Sequence, residues 1–336
     1  MDASLYKTLT TSRGVKYNYY FSPAQPGKHT ILFCHGFPST SVDWRYFVPF
    51  FRERGYGVVV PDLLGYGETD KPTDAAMYVS SKVCRDVVDI LDKEGVEKAI
   101  AIGHDWGAKT VSRLGNYYPE RFIAYAFLAV PYVSPHSFSN YEQLLAAMRS
   151  TNGYDTFGYW TFFASDEADT VMRGHIDSLV TILFPQDPMS GKTTIAPTGA
   201  LKEHLLKDYK GPLASYIDLI DVEGWKKIFL KNGFAAPTSW YKIMINGMEG
   251  EDDKQIAPER AYPPKDAPIF FGAARDDVVC VPENGYALFK SEGFKDHDVT
   301  TREFAADHWL VFTKADEICR EVESWIQEKV ANKAKM

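Results

Sequence analysis

Cysteine is scarce in this chain. Only four occur in 336 residues, Cys34, Cys84, Cys280 and Cys319, with no CxxC pair and no metal-ligand spacing. That excludes a disulfide-stapled scaffold and reads as buried free thiols in a reducing compartment, the cytosol by default. Long apolar runs are missing too. None approaches the ~20 residues that a bilayer span requires, and the opening MDASLYKTLTTSRG has no apolar stretch, so neither a membrane span nor a signal peptide is expected. Positive charge is in deficit, 37 Lys+Arg against 45 Asp+Glu for a net charge of −8. A nucleic-acid partner or an anionic membrane surface is therefore not expected. No dinucleotide fingerprint and no cluster of metal ligands is visible, so the expectation is neither cofactor nor metal. Internal repeats and low-complexity tracts are absent as well.

What is present is an ordinary globular composition, 45% hydrophobic and 14% aromatic, which excludes a disordered chain. The length suits about two domains, or one α/β domain carrying an insertion. Short apolar runs at 30–34 (TILFC), 57–61 (GVVVP), 99–103 (AIAIG) and 123–129 (IAYAFLA) predict strands. Helical periodicity falls between them, through Val83, Val87, Val88 and Leu91 and again through Ala108, Val111 and Leu114. The alternation predicts an α/β fold, a mostly parallel central sheet with helices on both faces. From about Pro131 to Tyr262 the strand runs vanish and aromatic clusters mix with helical patterns. Strands then resume at 268–272 and 299–304, with a helix near 282–290 and a last amphipathic helix through Ile318, Val322, Trp325 and Ile326. A structureless loop of that length is improbable in a compact domain. The expected division is therefore core 1–134, inserted helical cap 135–261 and core 262–336. The last three residues, Ala334-Lys335-Met336, resemble a degenerate peroxisomal import tripeptide, which makes the peroxisome the alternative compartment.

The sharpest motif is Gly103-His104-Asp105-Trp106-Gly107 at a strand-to-helix junction. Small-x-acid-x-small is the nucleophile-elbow pattern, with an aspartate where serine is usual. A turn that sharp leaves no room for flanking side chains, hence the glycines, and a helix N-terminus favours an anion. The plain alternative is an N-cap aspartate on an ordinary βα turn. His35-Gly36-Phe37-Pro38 follows the first of these strands, and its plain alternative is a Gly/Pro turn. Asp277, in RDDVVCVP, and His308, in ADHW, each follow a late strand, so both belong to the sheet edge where βα loops converge. Asp276 rivals Asp277, and either aspartate in isolation would be a solvated loop residue.

GHDWGA, HGFP, DLLGYGETDKP (62–72), GFAAPTSWYK (233–242) and DHW together resemble a soluble epoxide hydrolase of the α/β-hydrolase fold. The resemblance implies the order nucleophile Asp105, acid Asp277, base His308, with Asp277 preferred by its offset from Pro282. It implies an oxyanion hole from the backbone N–H groups of Phe37 and Trp106, and substrate contacts at the neighbouring His35, Pro38, His104 and Trp309. Two cap tyrosines hold the epoxide oxygen in that family. SWY places one at Tyr241, and YWTFF places the other at Tyr159, with Tyr154 as its substitute because Ala164 and Ser165-Asp166-Glu167 depart from the family pattern. The partners implied are a small-molecule epoxide and water, in a monomer or homodimer.

A carboxylate nucleophile fits this resemblance chemically. Attack on an ester carbonyl would give an anhydride, whereas attack on saturated carbon gives an alkyl ester that water can cleave. Alkyl halides also qualify, so the alternative is a haloalkane or haloacid dehalogenase in which the Trp106 indole holds the halide. Phe37 stands where many dehalogenases carry a side-chain donor, and a halide needs no tyrosine acid. A ligand-binding protein that kept the pocket without turnover is the third reading.

Overall fold

The computed structural model describes residues 1–135 and 140–330, so Ala334-Lys335-Met336 lies outside the described residues. Eight strands form one sheet: β1 (Tyr6–Thr10), β2 (Lys16–Ser22), β3 (Thr30–Cys34), β4 (Gly57–Pro61), β5 (Ala99–His104), β6 (Phe122–Leu128), β7 (Ile269–Ala274) and β8 (Val299–Phe304). Their order is β1-β2-β4-β3-β5-β6-β7-β8. β1–β2 and β2–β4 pair antiparallel and all other neighbours are parallel. Every residue of β3, β4, β5 and β7 is buried. Strands covered on both faces read as unbroken apolar runs, which is why their sequences were legible. β6 ends one residue before its apolar run does, because Ala129 turns to φ 62°. The first two strands were not anticipated. β1 has no buried residue and β2 mixes polar residues with its buried tyrosines, so neither reads as an unbroken apolar run, and the Thr11–Val15 turn joins them as a hairpin.

Helix α1 (Phe47–Glu53) follows β3, α2 (Ser80–Lys93) follows β4, and α3 (Trp106–Tyr117) follows β5. Between β6 and β7, all named elements among the described residues are helices, from Tyr141–Asn152 to Met248–Asp253. No helix of the described residues is long and apolar enough to cross a membrane. The expected α/β-hydrolase architecture is thus borne out in its mostly parallel sheet and its helices.

The inserted stretch is clasped to α3 at both of its ends. The Arg113 guanidinium forms a bidentate pair with Asp253, at 2.7 Å on each arm, and its third nitrogen donates to the Val133 carbonyl at 2.6 Å. One turn earlier Lys109 meets Glu249 at 2.8 Å. Glu249 also accepts from the Ser80 N–H and Asp252 from the Ser81 N–H at the start of α2, where helix N–H groups lack partners. The lysine and arginine and both of their carboxylate partners are buried. A charge left alone there would be strongly unfavourable. Arg113→Met is expected to lower unfolding free energy by about 3–5 kcal/mol, read from urea denaturation. A loss below ~1 kcal/mol, typical of exposed pairs, would show that the clasp carries little.

Candidate active site

β3 is flanked by β4 on one side and β5 on the other, so the sheet's order reverses there. Ligands of open α/β sheets bind in the crevice that such a reversal leaves beyond the strand ends. Cys34 on β3 stands opposite Gly103 on β5. The two motifs that follow those residues are therefore brought side by side.

Asp105 sits between β5 and α3 with φ 53° and ψ −127°. A non-glycine residue there is held against a cost of order 1–3 kcal/mol, so its surroundings must enforce it. The glycines do so by yielding space. A Cβ on Gly103 would overlap the Gly107 carbonyl, and one on Gly107 would overlap the Cys34 carbonyl. Gly107→Ala is expected to destabilise the protein by about 1–3 kcal/mol or more, since the obstacle is backbone and cannot swing aside; an unchanged thermal midpoint would contradict this. A Cβ on Gly36 would overlap the Asp105 carboxylate itself.

The Asp105 side chain makes no capping bond to α3. Its Oδ1 accepts from the Phe37 N–H at 2.7 Å, and its Oδ2 faces His308 Nε2 at 3.5 Å. The Phe37–Pro38 bond is cis. The Trp106 N–H heads α3, where first-turn donors have no intrahelical partner, and it forms no bond to the resting carboxylate. Burial pushes the Asp105 carboxyl upward, but hydrogen bonding and charge from His308, charge from His104 and the Phe37 N–H bring its pKa below the ordinary value.

His308 Nδ1 meets Asp277 Oδ2 at 2.7 Å. Asp277 is fixed in turn, with Oδ1 accepting from the Val279 and Cys280 N–H groups at 2.8 Å each. Asp276 points outward to Arg275 at 3.1 Å, half-exposed. Burial alone would depress His308. The charge of Asp277 and hydrogen bonds to Asp105, Asp277 and Cys280 override it and hold the imidazole pKa well above 6.5. Resting His308 is therefore an imidazolium between two carboxylates. Asp277, Cys280 and His308 are also the described residues that could together hold a metal ion, their ligand atoms lying within 4.8 Å. Asp277 already spends both oxygens on the triad and the backbone.

These groups open into a cavity of about 80 Å³ between the core loops and the inserted helices. Tyr159 and Tyr241 line it together with Asp105 and His308. The two rings are edge to face, 6.1 Å between centroids, and Tyr241 also stands edge-on to Trp106 and Phe37 at 5.1 Å each. Burial is the main cause that raises both phenol pKa values well above 10, with Cys280 beside Tyr159, Tyr159 beside Tyr241 and the charge of Asp105 adding to it, so both hydroxyls stay protonated. The Tyr154 hydroxyl is spent on the Val278 carbonyl at 2.5 Å, and that residue does not line the cavity.

Three of the four residues expected to touch substrate have other partners. His35 Nδ1 pairs with the Gly36 carbonyl at 2.9 Å and Nε2 accepts from the Leu63 N–H at 3.0 Å, so this buried ring braces the loop behind the site. His104 Nε2 holds the His308 carbonyl at 2.8 Å, and burial followed by the nearby His308 charge lowers its pKa to about 4. Donating from a neutral ring, it steadies the His308 backbone from behind. The Pro38 carbonyl accepts from the Trp225 indole at 2.8 Å. None of the three lines the cavity, whereas Trp309 does, its indole N–H committed to the Leu183 carbonyl at 2.7 Å. Sequence reading missed Asp307 and Cys280, although both lie within three residues of a residue it singled out. It also missed Tyr216, which nothing in its local sequence marks.

This fold and this triad-bearing crevice define a class, and a family model described as alpha/beta hydrolase fold matches residues 29–315. The chain belongs to that family. Among characterised proteins it is similar to the bifunctional epoxide hydrolase 2 of Mus musculus, 24% identical over 96% of this chain and 56% of the relative. It is also similar to an epoxide hydrolase of Caballeronia sordidicola, 36% identical over 63% of each. The chain thus spans little more than half the length of the mammalian relative. The crystal structure of epoxide hydrolase A from Mycobacterium thermoresistibile superposes with a TM-score of 0.76 at 24% identity, covering 96% of this chain and 98% of that one.

Proposed function

We propose that the protein hydrolyses epoxides to vicinal diols through an ester on Asp105, with residues 135–261 acting as the cap. The observation that carries the reading is an ionised elbow carboxylate facing two protonated tyrosines across one small cavity, with an imidazole 3.5 Å behind it. Neither an ester nor a halide substrate calls for both features. The curated relatives' names point the same way, and the four free cysteines support a cytosolic setting.

With Oδ1 anchored on Phe37, Oδ2 is the attacking oxygen. It displaces one C–O bond of the epoxide in line, and the opening oxygen takes a hydrogen bond from Tyr159 and Tyr241. The ester that forms is neutral. The opened oxygen ends protonated, and the imidazolium supplies the balancing proton through a tyrosine, which leaves His308 as a neutral base. His308, oriented by Asp277, then removes a proton from water. The water attacks the Asp105 carbonyl carbon, and the oxyanion sits on the Phe37 and Trp106 N–H groups. Collapse releases the diol and restores the carboxylate.

A single turnover in ¹⁸O water tests the scheme. Label is expected in Asp105, and the first diol should carry none. Label in the first diol instead would mean direct attack by water and no ester. Tyr241→Phe and Tyr159→Phe are each expected to slow ring opening by roughly 10²-fold, the size of a lost acid. Stopped-flow tryptophan fluorescence checks this, since Trp106 abuts Tyr241; unchanged rates would remove that tyrosine from the site.

A further inference from the structure

The cavity is apolar along most of its wall, yet Asp105, Asp276, Asp277 and Asp307 are among the residues that line it, and no lysine or arginine is among the described ones that do. His308 is the one lining group that carries positive charge, and it is committed to Asp277 at 2.7 Å and Asp105 at 3.5 Å. Arg275 balances Asp276 from the solvent side at 3.1 Å, as a half-exposed pair that water screens. Asp307 has no cation of that kind within the cavity. One of its oxygens accepts from the Trp309 N–H at 2.9 Å and the other from the Tyr216 hydroxyl, which reaches across from the inserted stretch. Burial, with the charge of Asp277, leaves the Asp307 carboxyl pKa above its ordinary value, and these two donors with the charge of His308 offset part of that rise. The opposite wall is closed tightly. Gly191 packs so near Val278 that a Cβ there would press on the valine methyl.

We propose that the cavity selects compact, uncharged epoxides bearing a hydrocarbon or aryl substituent, and that Asp307 and Asp276 exclude epoxides carrying a carboxylate. An anionic substrate would shed its water on entering and meet fixed negative charge with no free cation to pair with. Unpaired charge and like-charge contact are how a site rejects the wrong ligand. The inference rests on the epoxide-hydrolase reading and adds the substrate class. Asp307 thereby acts in specificity, one residue before the base.

The test compares two styrene oxides of matched size, one with a para-carboxylate and one with the para-carboxamide. At low salt the carboxamide is expected to exceed the carboxylate in kcat/KM by about tenfold, equivalent to about 1.4 kcal/mol. Raised ionic strength should narrow the ratio. Asp307→Asn keeps an acceptor for the Trp309 N–H and an amide for the Tyr216 hydroxyl, and should bring the ratio below about threefold. Asp276→Asn should narrow it less, and stands in if the first variant does not fold. Equal values for the two compounds in the parent protein, or a ratio that neither variant moves, overturns the inference while hydrolysis of plain styrene oxide leaves the functional reading standing. Failure to hydrolyse all three compounds overturns the functional reading and this inference with it.

Discussion

His308→Gln should cut turnover by roughly 10³-fold and leave an enzyme that stalls with substrate attached. The reason lies in which half-reaction needs the imidazole. Ring opening uses the Asp105 oxygen that faces His308 and the two phenols, all still present in the variant, and solvent water can supply the balancing proton that His308 gives in the parent protein. Ester cleavage needs a base beside the Asp105 carbonyl carbon, and no other side chain in the cavity is placed to serve. Mass spectrometry of the quenched variant should find the peptide bearing Asp105 heavier by one epoxide. Loss of binding without an adduct would count against His308 as the base. The parent enzyme should show the matching pH dependence. In the ester Asp105 carries no charge, so His308 keeps one anionic partner instead of two and its pKa falls. Ester cleavage requires the neutral ring, so its rate is lost as pH falls through that lowered value. Ring opening should persist to lower pH, because the Asp105 carboxyl titrates below its ordinary range. Adduct should therefore accumulate in the parent enzyme on mild acidification, visible in rapid-quench samples.

Asp105→Asn should be the most damaging single change, with turnover falling by roughly 10⁴–10⁶-fold, the scale seen when a nucleophile is removed from a triad. The amide is nearly the same shape. Its oxygen can keep the Phe37 N–H at 2.7 Å, and asparagine tolerates positive φ better than most residues. The loss should therefore appear in chemistry, with the thermal midpoint held and a diol still bound. The variant also lacks one of the two negative charges that hold His308 protonated, so the imidazole should titrate lower by NMR. An unmoved His308 titration would show that the carboxylate does not govern the base.

How far these residues were legible depended on how local their signals are. The buried parallel strands announce themselves as apolar runs, and Asp105 is marked by glycines whose necessity is steric: the structure shows backbone where each Cβ would go. Asp277 and His308 could be located because each follows directly on a strand. Tyr159 and Tyr154 could not be separated in sequence. Their difference is a single hydrogen bond to Val278, a contact across 124 positions. His35 and His104 stand next to functional residues and were grouped with them, yet both rings point into the scaffold. Asp307 and Tyr216 meet across 91 positions, and no periodicity encodes such a pair. The β1–β2 hairpin was overlooked for another reason. Its first strand buries no residue and its second sets polar residues among the buried tyrosines, so no unbroken apolar run marks either.

The clasp on α3 has a consequence for how such a protein can change. Both junctions of the inserted stretch are riveted by buried ions to the same rod whose N-terminus carries Asp105, so those junctions and the Asp105 carboxylate share one reference frame. Between the rivets, positions other than Tyr159, Tyr241 and the residues that tie the stretch to the core loops can drift or be exchanged for a homologous piece without losing alignment at the anchor points. Laboratory diversification aimed at new substrates should accordingly succeed when confined to the interior of that stretch, and fail when it trespasses on Lys109, Arg113, Glu249 or Asp253.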